Sequence, residues 1–245
     1  MNALRLLERQ FTVRNYETDF KQRLKPSAIL GYFQETAGDH SEEMGLGFGK
    51  LAESGYIWVL SKIYVEIEAL PKFRDTVTVS TWPHMPNKAI YERSFEMRSK
   101  AENVLMRAFS RWCILSAKNG RIVPCSRIEQ PRIDFIERKS VDFSEWKIDE
   151  IQDKARPAFS IKIANSEYDL NNHVNNIKYA DYILNCFSVE ELRAKEIRSF
   201  QIHYVKQSHE GDILDFYREE RGGEYFIEGV KNGEETVVVA RVRFE

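Results

Sequence analysis

The chain has 245 residues, 42% apolar and 12% aromatic, with a formal net charge of −2 and a pI near 6.3. That supplies core material for one large domain or two ordinary ones, and it lacks the basic footprint of a nucleic-acid binder. The three cysteines, Cys113, Cys125 and Cys186, form no CxxC pair, which argues against a disulfide framework or a zinc site and for a reducing cytoplasm.

The N-terminal stretch MNALRLLERQFTV has no apolar core with a small-residue cleavage site, so it does not read as a signal peptide. No later run reaches the ~20 apolar residues of a membrane span. Residues 26–45 read as a helix, with Pro26 in the first turn and Ile29, Phe33, Ala37 and Met44 on one stripe. Strand signals follow at 56–70, 75–82, 89–98 and 104–116, parted by Leu70-Pro71, residues 84–87 and residues 100–103. Residues 118–158 carry Pro124, Pro131 and Pro157 with weak periodicity. They read as a long connection with a short helical piece near 142–151. A second helix is expected over 176–187, with Ile177, Ala180, Ile183, Leu184 and Phe187 as its apolar stripe. Four more strands follow at 198–207, 212–219, 225–231 and 235–244.

The two halves therefore repeat one order: strand, helix, four-stranded meander. That is an α+β pattern. Each sheet is expected to wrap its own helix, and two such sheets joined edge to edge would protect their edge strands. The expected division is 1–130, a connector over 131–157, and 158–245.

The segment Asn165 to Phe187 carries the chemistry. Asp169, Asn171 and His173 stand at alternate positions just before a helix start. An acid, an amide and an imidazole placed there can hold a water and polarise a carbonyl, helped by the free N–H groups of the helix terminus. Asn172 and Asn176 read as turn former and helix cap. His40, on the first helix, reads as a structural echo without the Asp-x-Asn-x-His spacing.

Four stretches, in order, resemble one family. They are Phe33-Gln34-Glu35-Thr36-Ala37-Gly38-Asp39-His40, Ile57-Trp58-Val59-Leu60-Ser61-Lys62, Leu70-Pro71-Lys72-Phe73-Arg74-Asp75-Thr76-Val77 and Asp169-Leu170-Asn171-Asn172-His173-Val174-Asn175-Asn176-Ile177-Lys178-Tyr179. Over nearly its full length the chain resembles the acyl-acyl carrier protein thioesterases of plant plastids and bacteria, with two hotdog domains in tandem. The resemblance implies hydrolysis of the thioester on acyl carrier protein, ending fatty-acid elongation. It implies Asp169, Asn171 and His173 as catalytic residues. Where the family has a further acid followed by cysteine, this chain has Gln207 and Ser208. Gln207 can bind water but cannot take its proton, and Glu210 is the nearest acid in sequence. Ser208 lacks a recognisable acid partner for a Ser–His pair, and Cys186 reads as a small buried hydrophobe.

By the same resemblance the first domain holds the acyl chain, with Phe33, Ala37, Met44, Trp58 and Leu60 as lining residues, and the second does the chemistry. The partner is acyl carrier protein, which is strongly acidic, and the basic stretch Lys118–Lys139 is a candidate docking face. No metal or organic cofactor is implied, and either a monomer or a homodimer is compatible with a tandem pair. The alternatives are an acyl-CoA thioesterase and a non-catalytic acyl-thioester-binding protein.

Overall fold

A computed structural model describes residues 5–169 and 172–245. The chain divides into two units, Met1–Phe143 and Ser144–Glu245.

The N-terminal unit holds β1 (Leu7–Thr12), α1 (Pro26–Glu43), α2 (Phe48–Glu53), β2 (Tyr56–Ile67), β3 (Thr76–Pro83), β4 (Tyr91–Ser99) and β5 (Val104–Ser116). Its antiparallel strands lie in the order β1-β3-β4-β5-β2. Alternation sends Val77, Val79, Phe95, Met97, Met106 and Ala108 to the buried face. α1 covers that face: the Phe33 ring stacks on Phe95 with centroids 4.8 Å apart. α1 begins at Pro26, whose missing N–H costs a first turn nothing. Just past its end at Glu43, Gly45 takes φ +72°. There the N–H of Leu46 donates to the Ser41 carbonyl at 2.9 Å and that of Gly45 to Glu42 at 3.0 Å. This is a Schellman close, and it needs a residue at ease with positive φ.

The C-terminal unit repeats the order with β6 (Phe159–Lys162), α3 (Asn176–Leu184), α4 (Val189–Ala194), β7 (Ile197–Tyr204), β8 (Ile213–Arg221), β9 (Glu224–Lys231) and β10 (Glu235–Phe244). Its strands lie in the order β7-β10-β9-β8-β6, the same topology as the first sheet. α3 buries Tyr179, Ala180, Tyr182 and Ile183. It stops at Leu184, three residues short of the expected end. Ser188 then opens α4 with a capping box, its hydroxyl accepting the Glu191 N–H at 3.1 Å.

The helical piece expected at 142–151 does not form. Its polar groups and rings are claimed by neighbours instead. In the N-terminal unit Phe143 stacks on Tyr64 at 3.8 Å. In the C-terminal unit Gln201 donates to the Trp146 carbonyl at 3.2 Å, and Arg221 to the Glu150 carbonyl at 2.6 Å. Backbone groups satisfied from outside leave a helix nothing to gain.

Candidate active site

A one-turn 3-10 segment, Asn165–Glu167, leads into the site, and the Glu167 carboxylate accepts the Ala164 N–H at 3.1 Å. The chain then reverses. Tyr168 pairs with Val174, the Asp169 N–H donates to the His173 carbonyl at 3.1 Å, and the Asn172 N–H donates to the Asp169 carbonyl at 3.2 Å. Asn172 sits at φ +60°, a conformation asparagine tolerates well. Asn175 caps α3, its side chain accepting the Ile177 N–H at 3.1 Å, so the capping reading falls on Asn175 rather than Asn176.

His173 lies in this turn with its side chain 16% exposed, and Asp169 beside it is 15% exposed. The imidazole Nδ1 is 3.0 Å from the Val174 carbonyl oxygen and 3.9 Å from Asp169 Oδ1. A carbonyl only accepts, so Nδ1 carries the proton and the lone pair stands on Nε2. Asn171 lies outside the described residues.

A second segment is tied to the turn. The Val174 N–H donates to the Ser208 carbonyl at 3.1 Å. Ser208 is fully buried, and its hydroxyl accepts from Tyr179 on α3 at 2.9 Å. Burial pushes the Tyr179 phenol up to about 12, so it keeps the proton it donates. Ser208 is therefore a structural tie between α3 and the turn. Tyr179 was missed as a site residue by the sequence reading, although it lies inside the matched motif. Gln207 is exposed, and its backbone carbonyl accepts from Lys231 Nζ at 3.3 Å. Glu210 is exposed too, with its N–H donating to the Tyr168 hydroxyl at 2.6 Å. Cys186 is buried at the end of α3, and burial raises its thiol to about 12.

Of the expected lining residues, Phe33, Ala37 and Leu60 are buried, and Met44 and Trp58 are half-buried. Trp58 donates to the Leu46 carbonyl at 2.8 Å and meets Tyr91 edge-on at 4.8 Å, inside a cluster with Leu51 and Ile114. His40 is not the counterpart of His173. It is a buried residue of α1, with Nδ1 3.0 Å from Arg93 Nη1.

The true counterpart is Arg23. In the N-terminal unit Thr18 pairs with Leu24, the Asp19 N–H donates to the Arg23 carbonyl, and the Gln22 N–H donates to the Asp19 carbonyl. Gln22 has φ +61°, matching Asn172. The Leu24 N–H donates to the Pro71 carbonyl as Val174 does to Ser208, and Lys25 bonds Glu17 as Asn175 bonds Glu167. Asp75 accepts the Lys72 N–H as Asp212 accepts that of His209. The signal was Asp19-x-x-x-Arg23 against Asp169-x-x-x-His173.

Family models cover both units: the acyl-ACP thioesterase N-terminal domain matches residues 5–128 and the C-terminal domain matches 149–241. The chain belongs to the acyl-ACP thioesterase family. It is 28% identical over 227 residues to a palmitoyl-acyl carrier protein thioesterase of Cuphea hookeriana, covering 86% of this chain and 54% of that one. It is 26% identical over 236 residues to a dodecanoyl-[acyl-carrier-protein] hydrolase of Cinnamomum camphora, covering 89% and 60%. The chain thus spans little more than half the length of the curated relatives it matches. The crystal structure of an acyl-ACP thioesterase from Bacteroides thetaiotaomicron superposes with a TM-score of 0.88 at 28% identity, over 98% of each chain. A 12:0-ACP thioesterase from Umbellularia californica shares the fold, with a TM-score of 0.85 at 20% identity over 100% of this chain and 98% of that one. The architecture is the tandem hotdog of this acyl-ACP thioesterase family, as the sequence resemblance implied.

Proposed function

We propose that this member of the family hydrolyses the thioester of acyl-acyl carrier protein, releasing a free fatty acid and the carrier's thiol. The observation that supports it most is the commitment of His173 Nδ1 to the Val174 carbonyl, which leaves Nε2 as a base. Water attacks the thioester carbonyl carbon while Nε2 takes its proton. The carboxylate of Asp169 lies 3.9 Å from the ring. The tetrahedral intermediate then expels the thiolate, which recovers that proton. Asn171 is assigned to the substrate carbonyl by its place in the family motif. Gln207 is assigned to holding water, so His173 does the proton transfer without a second acid.

The proposed acyl-chain site is in the N-terminal unit, with Phe33, Ala37, Met44, Trp58 and Leu60. The proposed setting is the cytoplasm, in keeping with three free cysteines. Among the described residues no helix is long and apolar enough to cross a membrane.

Thiol release from acyl-acyl carrier protein tests the reading. His173→Ala should lower kcat by ~10²–10⁴-fold. A wild-type chain that releases thiol no faster than His173→Ala is instead a binding protein. A clear preference for the matched acyl-CoA would move the substrate assignment to that carrier.

A further inference from the structure

The N-terminal copy of the turn keeps the backbone of the catalytic one but reverses its charge. The register equates Arg14 with Ala164, Lys21 with Asn171, Arg23 with His173, Lys25 with Asn175, Lys72 with His209 and Arg74 with Gly211. Residues 14–25 and 71–75 together hold six lysines and arginines against three acids. Residues 164–175 and 208–212 hold no lysine or arginine and four acids.

The three acids of the N-terminal copy build the turn. Glu17 accepts the Arg14 N–H at 2.7 Å and the Tyr32 hydroxyl at 2.6 Å. Asp19 accepts the N–H groups of Lys21 and Arg23 at 2.8 and 3.0 Å. Asp75 accepts the Lys72 N–H at 2.7 Å. The cations outnumber these acids, and Lys72 and Arg74 are exposed. Two aromatic side chains sit among them, Tyr16 at 67% and Phe20 at 46% exposure. A basic rim around exposed aromatic anchors suits an acidic protein partner.

From this contrast we infer that the Thr18–Leu24 turn, with Lys72 and Arg74, is a docking surface for the acidic carrier protein. The inference rests on the carrier-protein reading above. The catalytic turn, with its excess of acids, repels an acidic carrier, so attraction has to come from another surface. The connector competes less well than its sequence suggests. Arg138 Nη1 lies 3.8 Å from Glu96 Oε2, and Lys139 Nζ lies 3.8 Å from Glu92 Oε2.

Fluorescence anisotropy with labelled holo-carrier protein tests the inference without turnover. Joint replacement Lys21→Gln, Lys25→Gln, Lys72→Gln and Arg74→Gln should weaken binding about tenfold or more and flatten its salt dependence. kcat on a short acyl-pantetheine, which lacks the protein, should stay at the wild-type value. The exposed pair Lys72→Gln with Arg74→Gln gives the same sign in smaller measure and serves if the fourfold variant misfolds. Carrier affinity within twofold of wild type in the folded variants overturns the inference. So does a loss reproduced only by Arg121→Gln, Arg127→Gln and Arg132→Gln on the connector, or a wild-type chain that binds no carrier. Carrier binding without any thiol release keeps the docking surface and overturns the hydrolase reading alone.

Discussion

His173 and Ser208 lie on two bonded segments and differ in what their polar atoms are committed to. His173 has Nδ1 pinned to the Val174 carbonyl, and Nε2 is the proposed base. Ser208 is fully buried with its hydroxyl taken by Tyr179. Ser208→Ala should therefore keep thiol release within about tenfold of wild type, whereas a nucleophile would lose ~10⁴-fold or more. Gln207→Ala should also cost less than about tenfold in kcat, because a residue that only holds water is replaceable by solvent. A loss as deep as that of His173→Ala would move Gln207 into the proton-transfer machinery. Cys186 supplies a pH test. Its thiol is raised to about 12 by burial, so the thiolate that iodoacetamide needs is scarce at pH 8 and grows only as pH climbs toward that value. Native protein should resist alkylation at Cys186 at pH 8, by peptide mass mapping. At this scale the Asp169–His173 turn was legible because its residues are consecutive. The Tyr179–Ser208 bond was not, because it joins side chains 29 positions apart.

Elements were legible where a period ran uninterrupted and illegible where tertiary partners took over. α1 and the eight meander strands follow from apolar alternation and turn residues. The piece at 142–151 has no such autonomy, since sheet side chains hold its carbonyls. Within the second sheet, Gly229 of β9 faces Phe216 of β8 and Val238 of β10. A Cβ at Gly229 would lie 2.7 Å from Val238 Cγ1 and 2.8 Å from Phe216 Cε1. The Phe216 ring fills that gap and meets Tyr182 of α3 at 5.7 Å between centroids. Gly229→Ala should destabilise the fold by ~1–3 kcal/mol in urea unfolding, through overpacking. The helix that carries Tyr179 should shift with it, so kcat should fall even where the chain remains folded.

Across the whole molecule, the repeat was legible from strand count, yet the correspondence of the two turns was not. Arg23 replaces His173 and Lys21 replaces Asn171 at matched register, so the functional residues that would advertise the match are the ones that differ. What is shared is backbone: the same pairs of N–H and carbonyl groups, closed at Gln22 and Asn172 by the same positive φ. This separates turn geometry from catalytic competence, and the two can be parted by experiment. In a His173→Ala background, Lys21→Asn with Arg23→His writes the catalytic residues onto the N-terminal turn. The backbone N–H groups of residues 21 and 23 keep their bonds to Asp19 and the Arg23–Asp19 ion pair at 3.6 Å is exchanged, so unfolding midpoints should stay near those of the parent. Thiol release should stay more than about tenfold below wild type, because contributions that are each modest alone are lost together. The register places Ile29 where Tyr179 stands and Pro71 where Ser208 stands, so the hydroxyl tie from helix to turn has no equivalent. It also places Leu70 at the position of Gln207 and Phe73 at that of Glu210, which puts apolar side chains where the C-terminal unit has polar ones. Recovery of thiol release to within about tenfold of wild type would mean that an Asp-x-Asn-x-His turn before a helix suffices, and that its surroundings contribute less than a proton-transfer residue does.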